Sequence, residues 1–199
     1  DVLNKLGLSI IVVHGGGPRI KRELDKKKIV IKYGGNVLID RKVFNNFISD
    51  IDVLNKLGLS IIVVHGGGPR IKRELDKKKI VSKFINGLRV TDKNIIDTVE
   101  EVLIDFNIDI VNSLKKLGSE GTSFHTKNNS IIEVEPEREE LGFVGIPKKI
   151  NINLIEDALN KNKIPIIAPL GLGKNNQTFN INGDTAASAI AKKLKARRL

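Results

Sequence analysis

Short apolar runs alternate along this chain with longer stretches in which apolar residues recur every three or four positions. Residues 28–35 (KIVIKYGG) predict a buried strand that ends in a glycine pair. Asp40 is placed to cap a helix running through Leu57, with Val43, Phe44, Phe47, Ile48, Ile51 and Leu54 near one face. The run SIIVV at 60–64 is wholly apolar and largely β-branched, which predicts a strand buried on both faces. Helical spacing follows at 69–79, then an Asn-Gly hairpin signal within 84–91 (FINGLRVT). Residues 93–117 predict a long helix stopped by Gly118. TSFHT and SIIEVE, at 122–126 and 130–135, predict a small hairpin around KNN, and 142–151 a short strand and loop. A helix is expected at 153–161, a buried strand at 164–171 and an Ala-rich helix at 186–195. This alternation predicts an α/β fold, a mostly parallel sheet sandwiched between helices in three layers.

Ligands of such sheets gather at the carboxyl ends of the strands, and both glycine clusters fall there. In VVHGGGP a strand, a glycine turn and a helix opening with Pro69 follow one another. Outward N–H groups and the helix dipole make such a junction attractive to an anion. A tight strand-to-helix turn without a ligand has the same pattern, so the motif alone leaves both readings open.

The same loop occurs twice. Residues 1–30 and 52–81 are identical, and KKKIV closes each copy. Only the second copy stands between a predicted helix and the FINGLRVT segment. A stacked repeat architecture calls for several diverged units, and this chain has one perfect duplicate. Residues 1–27 are therefore expected to lie outside the native domain, as a recombination or sequence-assembly error at KKKIV would place them.

Composition narrows the partners. No run of about eighteen apolar residues suggests a membrane span. Cysteine is absent, which removes disulfides and thiolate metal sites. There is no secretory-leader pattern, and a cytoplasmic protein is expected. The net charge of +11 invites a nucleic-acid reading. Yet the repeat counts its own cations twice, and aromatic residues to stack bases are scarce. No nucleic-acid partner is expected.

Six segments, KIVIKYGGN, VVHGGGP, NGLRVTD, LGFVGIPKKIN, IPIIAPLGLG and TFNINGDTAA, stand in an order and spacing that resemble the amino-acid kinase family over residues 28–199. NGLRVT resembles its acetylglutamate branch. The resemblance implies ATP-dependent phosphorylation of the side-chain carboxylate of N-acetyl-L-glutamate, in arginine biosynthesis. It implies ATP and Mg²⁺ bound through the nucleotide, and a homodimer or higher homo-oligomer. It also implies that 28–199 form the acceptor-binding half, with most of the ATP-binding half missing. A kinase of another acidic amino acid, such as an aminoadipate derivative, and a non-catalytic acidic-metabolite-binding regulatory subunit are the alternative readings.

By the same resemblance, Lys32 and Asp184 are the catalytic residues, the first stabilising the phosphoryl in flight and the second orienting lysines. Gly34 and Gly35 present N–H groups to the ATP phosphates. Gly67 and Gly68 hold the reacting end of the substrate, Arg89 its α-carboxylate, and Asn180 and Asn182 line the same site. No metal-ligating residue is expected. Taken alone, Asp184 could instead cap the last helix, and His65 reads as a structural hydrogen-bonder. His125 lies where the family more often has a glycine-rich turn, and IDFNID (104–109) also departs from the family pattern, where substrate preference could differ.

Overall fold

The computed structural model describes residues 28–34 and 40–199. The duplicated segment 1–27 and Gly35 lie outside the described residues.

Four strands form an all-parallel sheet in the order β1 (Lys28–Tyr33), β2 (Ser60–His65), β8 (Ile164–Ile167), β5 (Gly121–Phe124). Alternation sorts their side chains. Ile29, Ile61, Val63 and Ile166 face a cluster built with Phe44, Ile48, Ile51, Phe106 and Ile110. Val30, Ile62, Val64 and Ile167 face the opposite cluster, with Ile155, Ala186 and Ile190. The first layer comes from α1 (Arg41–Lys56) and α3 (Lys93–Lys116). The other layer holds α4 (Ile152–Asn160) and α5 (Gly183–Leu194). The apolar run of β2 reads as it does because both of its faces are covered.

Helix ends follow local chemistry. Asp40 caps α1 by accepting from the Val43 N–H at 3.0 Å. Asp92 does the same for α3, accepting from Asn94 and Ile95 at 2.8 and 3.1 Å. Helix α2 (Gly68–Lys77) starts directly after β2. The expected Asn-Gly hairpin is present as β3 (Phe84–Ile85) and β4 (Leu88–Arg89), with φ of 50° at Asn86 and 80° at Gly87. Those two positive values are what a tight two-residue turn requires.

Several expectations are corrected. TSFHT and SIIEVE do not pair. The first supplies β5 of the parallel sheet, while the second supplies β6 (Ile132–Pro136) of another sheet. Between them, His125 and Asn128 exchange backbone bonds of 2.9 and 3.1 Å, a tight turn that sends the chain from one sheet to the next. The run at 164–171 is likewise not one strand. It breaks after Ile167, because Pro169 has no N–H to continue a ladder. The Leu170 N–H bonds back to the Ala168 carbonyl at 2.8 Å, and the chain re-enters the second sheet as β9 (Leu170–Leu172). That sheet runs β10 (Thr178–Asn180), β9, β6, β7 (Gly145–Ile150). Helix α5 begins three residues before its expected start. It ends at Leu194, so the basic tail is not all helix: Arg197 and Val30 bond across at 3.0 and 3.1 Å to Lys28 and Arg198, along the outer edge of β1.

Candidate active site

One cleft at the carboxyl ends of β1 and β2 is lined by Lys32, Gly34, Gly67, Gly68, Arg89, Asn180, Asn182 and Asp184. Every site residue expected from the sequence and described by the structure therefore reaches the same cavity.

The glycine turn forms one wall, and its carbonyls are all occupied. The Gly66 carbonyl accepts from His65 Nδ1 at 2.9 Å. The Gly67 carbonyl accepts from the Ile71 N–H at 2.8 Å, the first bond of α2. The Gly68 carbonyl accepts from Arg89 Nη2 at 3.2 Å. The Gly66 N–H is used by the Tyr33 carbonyl at 2.7 Å. What the turn has left are the N–H groups of Gly67 and Gly68, which have no acceptor among the described residues. They stand at the N-terminus of α2, where the dipole is positive. A Cβ at 67 would sit 2.4 Å from Leu103 Cδ2 of α3, so any larger residue there would have to displace that buried leucine.

Lys32 enters from β1, its Nζ 3.1 Å from Asp184 Oδ1 in the first turn of α5. Gly34 leaves room for that lysine, since a Cβ would meet Lys32 Cε at 2.8 Å. Asp184 does not cap α5, contrary to one sequence reading. Asn182 does, its Oδ1 accepting from Asp184 and Thr185 at 2.9 and 3.1 Å. Both residue types cap well, and the two-residue offset leaves the Asp184 carboxylate free for Lys32.

Arg89 forms the opposite wall. Its guanidinium donates to the Ser82 hydroxyl, lies 4.8 Å over the Phe84 ring, and is largely buried. Burial lowers its pKa from the ordinary value, with Asp76 opposing.

A chain of backbone bonds fastens the hairpin to β10. The Thr91 N–H donates to the Leu141 carbonyl (3.0 Å), the Phe143 N–H to Thr91 (2.7 Å), and the Asn180 N–H to Phe143 (2.9 Å). Asn180 Nδ2 also donates to Thr91 Oγ1 at 3.3 Å. Gly142 makes the crossing possible. Its φ is 67°, and a Cβ would lie 2.5 Å from the Thr91 carbonyl oxygen. Behind β10, the buried carboxylate of Glu100 accepts from the hydroxyls of Thr126 and of Thr178, the latter at 2.8 Å. Burial opposes ionisation there, but these bonds and Lys127 hold its pKa below the ordinary value.

The sequence reading did not single out the apolar lining, Ile71, Leu103, Val144 and Pro169 among it. Leu103 and Ile71 sit on ordinary helical stripes, and nothing in their spacing marks them as facing a cavity.

A cleft with free N–H groups at a helix N-terminus, an Arg and a Lys–Asp pair at the edge of a parallel α/β sheet has the chemistry to suit small anionic molecules. The sequence profile of the amino acid kinase family matches residues 27–199, and the chain belongs to that family. It is 52% identical over 183 residues to the acetylglutamate kinase of Pelagibacter ubique (strain HTCC1062), covering 90% of this chain and 64% of that protein. Against the acetylglutamate kinase of Clostridioides difficile (strain 630) it is 42% identical, covering 87% and 61%. The chain thus spans less than two thirds of the length of these relatives. Among solved structures, smu.665 from Streptococcus mutans UA159 superposes with a TM-score of 0.78 at 32% identity, over 86% of this chain and 70% of that one. N-acetylglutamate synthase from Neisseria gonorrhoeae, complexed with coenzyme A and L-arginine, shares the fold at 19% identity. Its TM-score is 0.71, over 91% of this chain and 45% of that one.

Proposed function

We propose that residues 28–199 form the acceptor-binding part of an N-acetyl-L-glutamate kinase, which transfers the γ-phosphoryl of ATP to the substrate's side-chain carboxylate in arginine biosynthesis. The observation that carries this reading is the pairing of two anion-seeking walls in one cleft. The free N–H groups of Gly67 and Gly68 suit one carboxylate, and Arg89 suits the other in bidentate fashion. The names of the relatives at 52% and 42% identity support the same substrate.

The chemistry asks little of the protein by way of acid or base. A side-chain carboxylate has an ordinary pKa of about 4.3 and is already a nucleophile near pH 7. In the transfer, a carboxylate oxygen bonds to the γ-phosphorus as the bond to the bridging oxygen breaks and ADP departs. Charge on the phosphoryl oxygens has to be met by donors held in place. Lys32 supplies one such cation, and Asp184 holds its Nζ at 3.1 Å. Gly34, which lines the cleft, would contribute its N–H to the phosphates. Among the described residues no group of three His, Cys, Asp or Glu is placed to hold a metal. By the family resemblance, Mg²⁺ would enter bound to the nucleotide, where it would supply charge neutralisation. A homo-oligomer would find one apolar surface where α1 and α3 end together, with Val53, Leu57 and Leu117 exposed.

Calorimetric titration of the chain with N-acetyl-L-glutamate and with L-glutamate tests the acceptor. Binding of the acetylated compound is expected, and Arg89→Lys should weaken it by about 1.5–3 kcal/mol through loss of the forked contact. No binding, or affinity unchanged in the variant, overturns the assignment.

A further inference from the structure

His65 is fully buried at the end of β2, and its ring bridges two partners. Nδ1 lies 2.9 Å from the Gly66 carbonyl, and Nε2 lies 3.1 Å from Asn107 Nδ2. Asn107 Nδ2 is also 2.9 Å from the Ile166 carbonyl, and the Ser123 hydroxyl donates to Asn107 Oδ1. Every proton in this chain of groups has one place to be. A carbonyl only accepts, so His65 Nδ1 carries hydrogen. The Ile166 carbonyl likewise turns the amide nitrogen of Asn107 inward, and its second hydrogen points at Nε2. Nε2 is then a bare acceptor, and the imidazole is neutral. Protonating it would set an N–H against an N–H.

The surroundings agree with that state. Burial, with Arg70 and His125 adding positive charge nearby, pushes the His65 pKa down to about 4 against the opposing Gly66 contact. Phe106 stands edge-on to the ring at 5.1 Å, with the Arg70 guanidinium 4.0 Å from Phe106.

The peptide plane gives this arrangement its consequence. The Gly66 carbonyl and the Gly67 N–H belong to one planar trans unit and point in opposite directions. Holding that carbonyl toward His65 aims the Gly67 N–H away from the ring. The next peptide is fixed differently, by the helical bond from Ile71 to the Gly67 carbonyl. We propose that His65, locked as its Nδ1–H tautomer by Asn107 and Ser123, is a positioning residue that aims the Gly67 N–H at the bound carboxylate. A Gly66 carbonyl without this partner would be free to rotate its acceptor end toward the anion. The proposal rests on reading the glycine turn as the acceptor's carboxylate site.

Two substitutions separate positioning from packing. In His65→Asn the side-chain amide can donate from where Nδ1 stands, keeping the Gly66 carbonyl in place. In His65→Gln the amide reaches the Nε2 position, meeting Asn107 and leaving the Gly66 carbonyl unpaired. Calorimetry with N-acetyl-L-glutamate below both melting points should show Gln losing about tenfold or more in affinity and Asn staying within about threefold, a loss of the order expected for one charge-assisted bond. A packing role predicts the reverse order, since Gln fills more of the site, and that result overturns the proposal. Nitrogen NMR of the wild-type chain supplies a measurement that needs no variant. His65 should show a protonated Nδ1 and a bare Nε2 from pH 5 to 8, and an Nε2–H tautomer or an imidazolium at pH 6 overturns the proposal. Titration with inorganic phosphate should move the Gly67 amide signal in the wild type and not in His65→Gln; equal shifts in both count against it. If the wild type binds no N-acetyl-L-glutamate while these NMR results hold, the substrate reading fails and the positioning role stands.

Discussion

At the glycine turn, residues 65–68, each carbonyl from Gly66 to Gly68 has a donor, and the ring behind it is sealed from solvent. At the hairpin across the cleft, four residues make the whole ladder, and Phe84 is 57% exposed with Val81 at 80%. The turn shares its supports with β1, α2 and α3. Beyond its own ladder, the hairpin is tied through Thr91 and through Arg89, which reaches over to the turn. Local opening free energy tracks buried contacts and protected bonds, so the two walls belong at opposite ends of the stability range. On the proposed reading, one wall would present fixed dipoles to an anion, and the other would be the one with room to adjust.

That contrast has measurable consequences of decreasing size. Gly142→Ala strikes the joint that fastens the hairpin to β10, with a positive φ and a backbone collision together. A loss of about 2–4 kcal/mol is expected in urea unfolding, and substrate affinity should fall with it. A variant as stable as wild type would show that the joint gives way easily. Acid pH probes the turn next. His65 has its pKa lowered from 6.5 to about 4, so between those values the unfolded state takes up a proton that the folded state refuses. Its contribution is complete above about pH 6.5 and declines as pH falls toward 4, by about 3 kcal/mol in all. Glu100 and Asp52, both lowered, add their losses at more acid pH. Unfolding at pH 7 and pH 5 should reveal this slope, and His65→Asn should flatten it. Gly87→Ala, at φ 80° in the hairpin turn, should cost about 1 kcal/mol of stability and weaken ligand binding without moving the His65 signals. Phe84→Ala should be the mildest, within about 0.5 kcal/mol by thermal melt, because the ring is mostly in water. A drop of several degrees there would mean the hairpin is as firmly built as the turn.

Much of this was legible in advance because periodicity reports what is buried. β2, α1 and α3 appear where their apolar spacing places them, and the Asn86-Gly87 turn needed only its residue types. Which sheet a strand joins was not legible. Thr122–Phe124 and Ile132–Glu135 alternate in the same way, and only long-range partners sent one to β8 and the other to β7 and β9. Pro169 was a visible signal of the break in 164–171, but an apolar run hides it. That Lys32, Gly34, Gly67, Gly68 and Arg89 gather at one cleft could be read from their motifs. The chain from His65 through Asn107 to Ser123 could not, because it joins β2, α3 and β5 only once they have packed.

The chain holds two Asn-Gly pairs at this cleft, and chemical ageing should treat them differently. Loss of ammonia from such a pair begins when the glycine nitrogen attacks the asparagine side-chain carbonyl, closing a five-membered imide. At Asn182 that carbonyl oxygen is held by two backbone N–H groups of α5, away from such an attack. Asn86 is exposed in a turn of four ladder residues and has no such restraint. On storage at alkaline pH, the hairpin should therefore convert first, visible in a peptide map as a new acidic species containing residue 86. The added carboxylate would sit three positions before Arg89 and compete for the cation proposed to pair with the substrate. A stored preparation should accordingly lose acceptor affinity while keeping its fold.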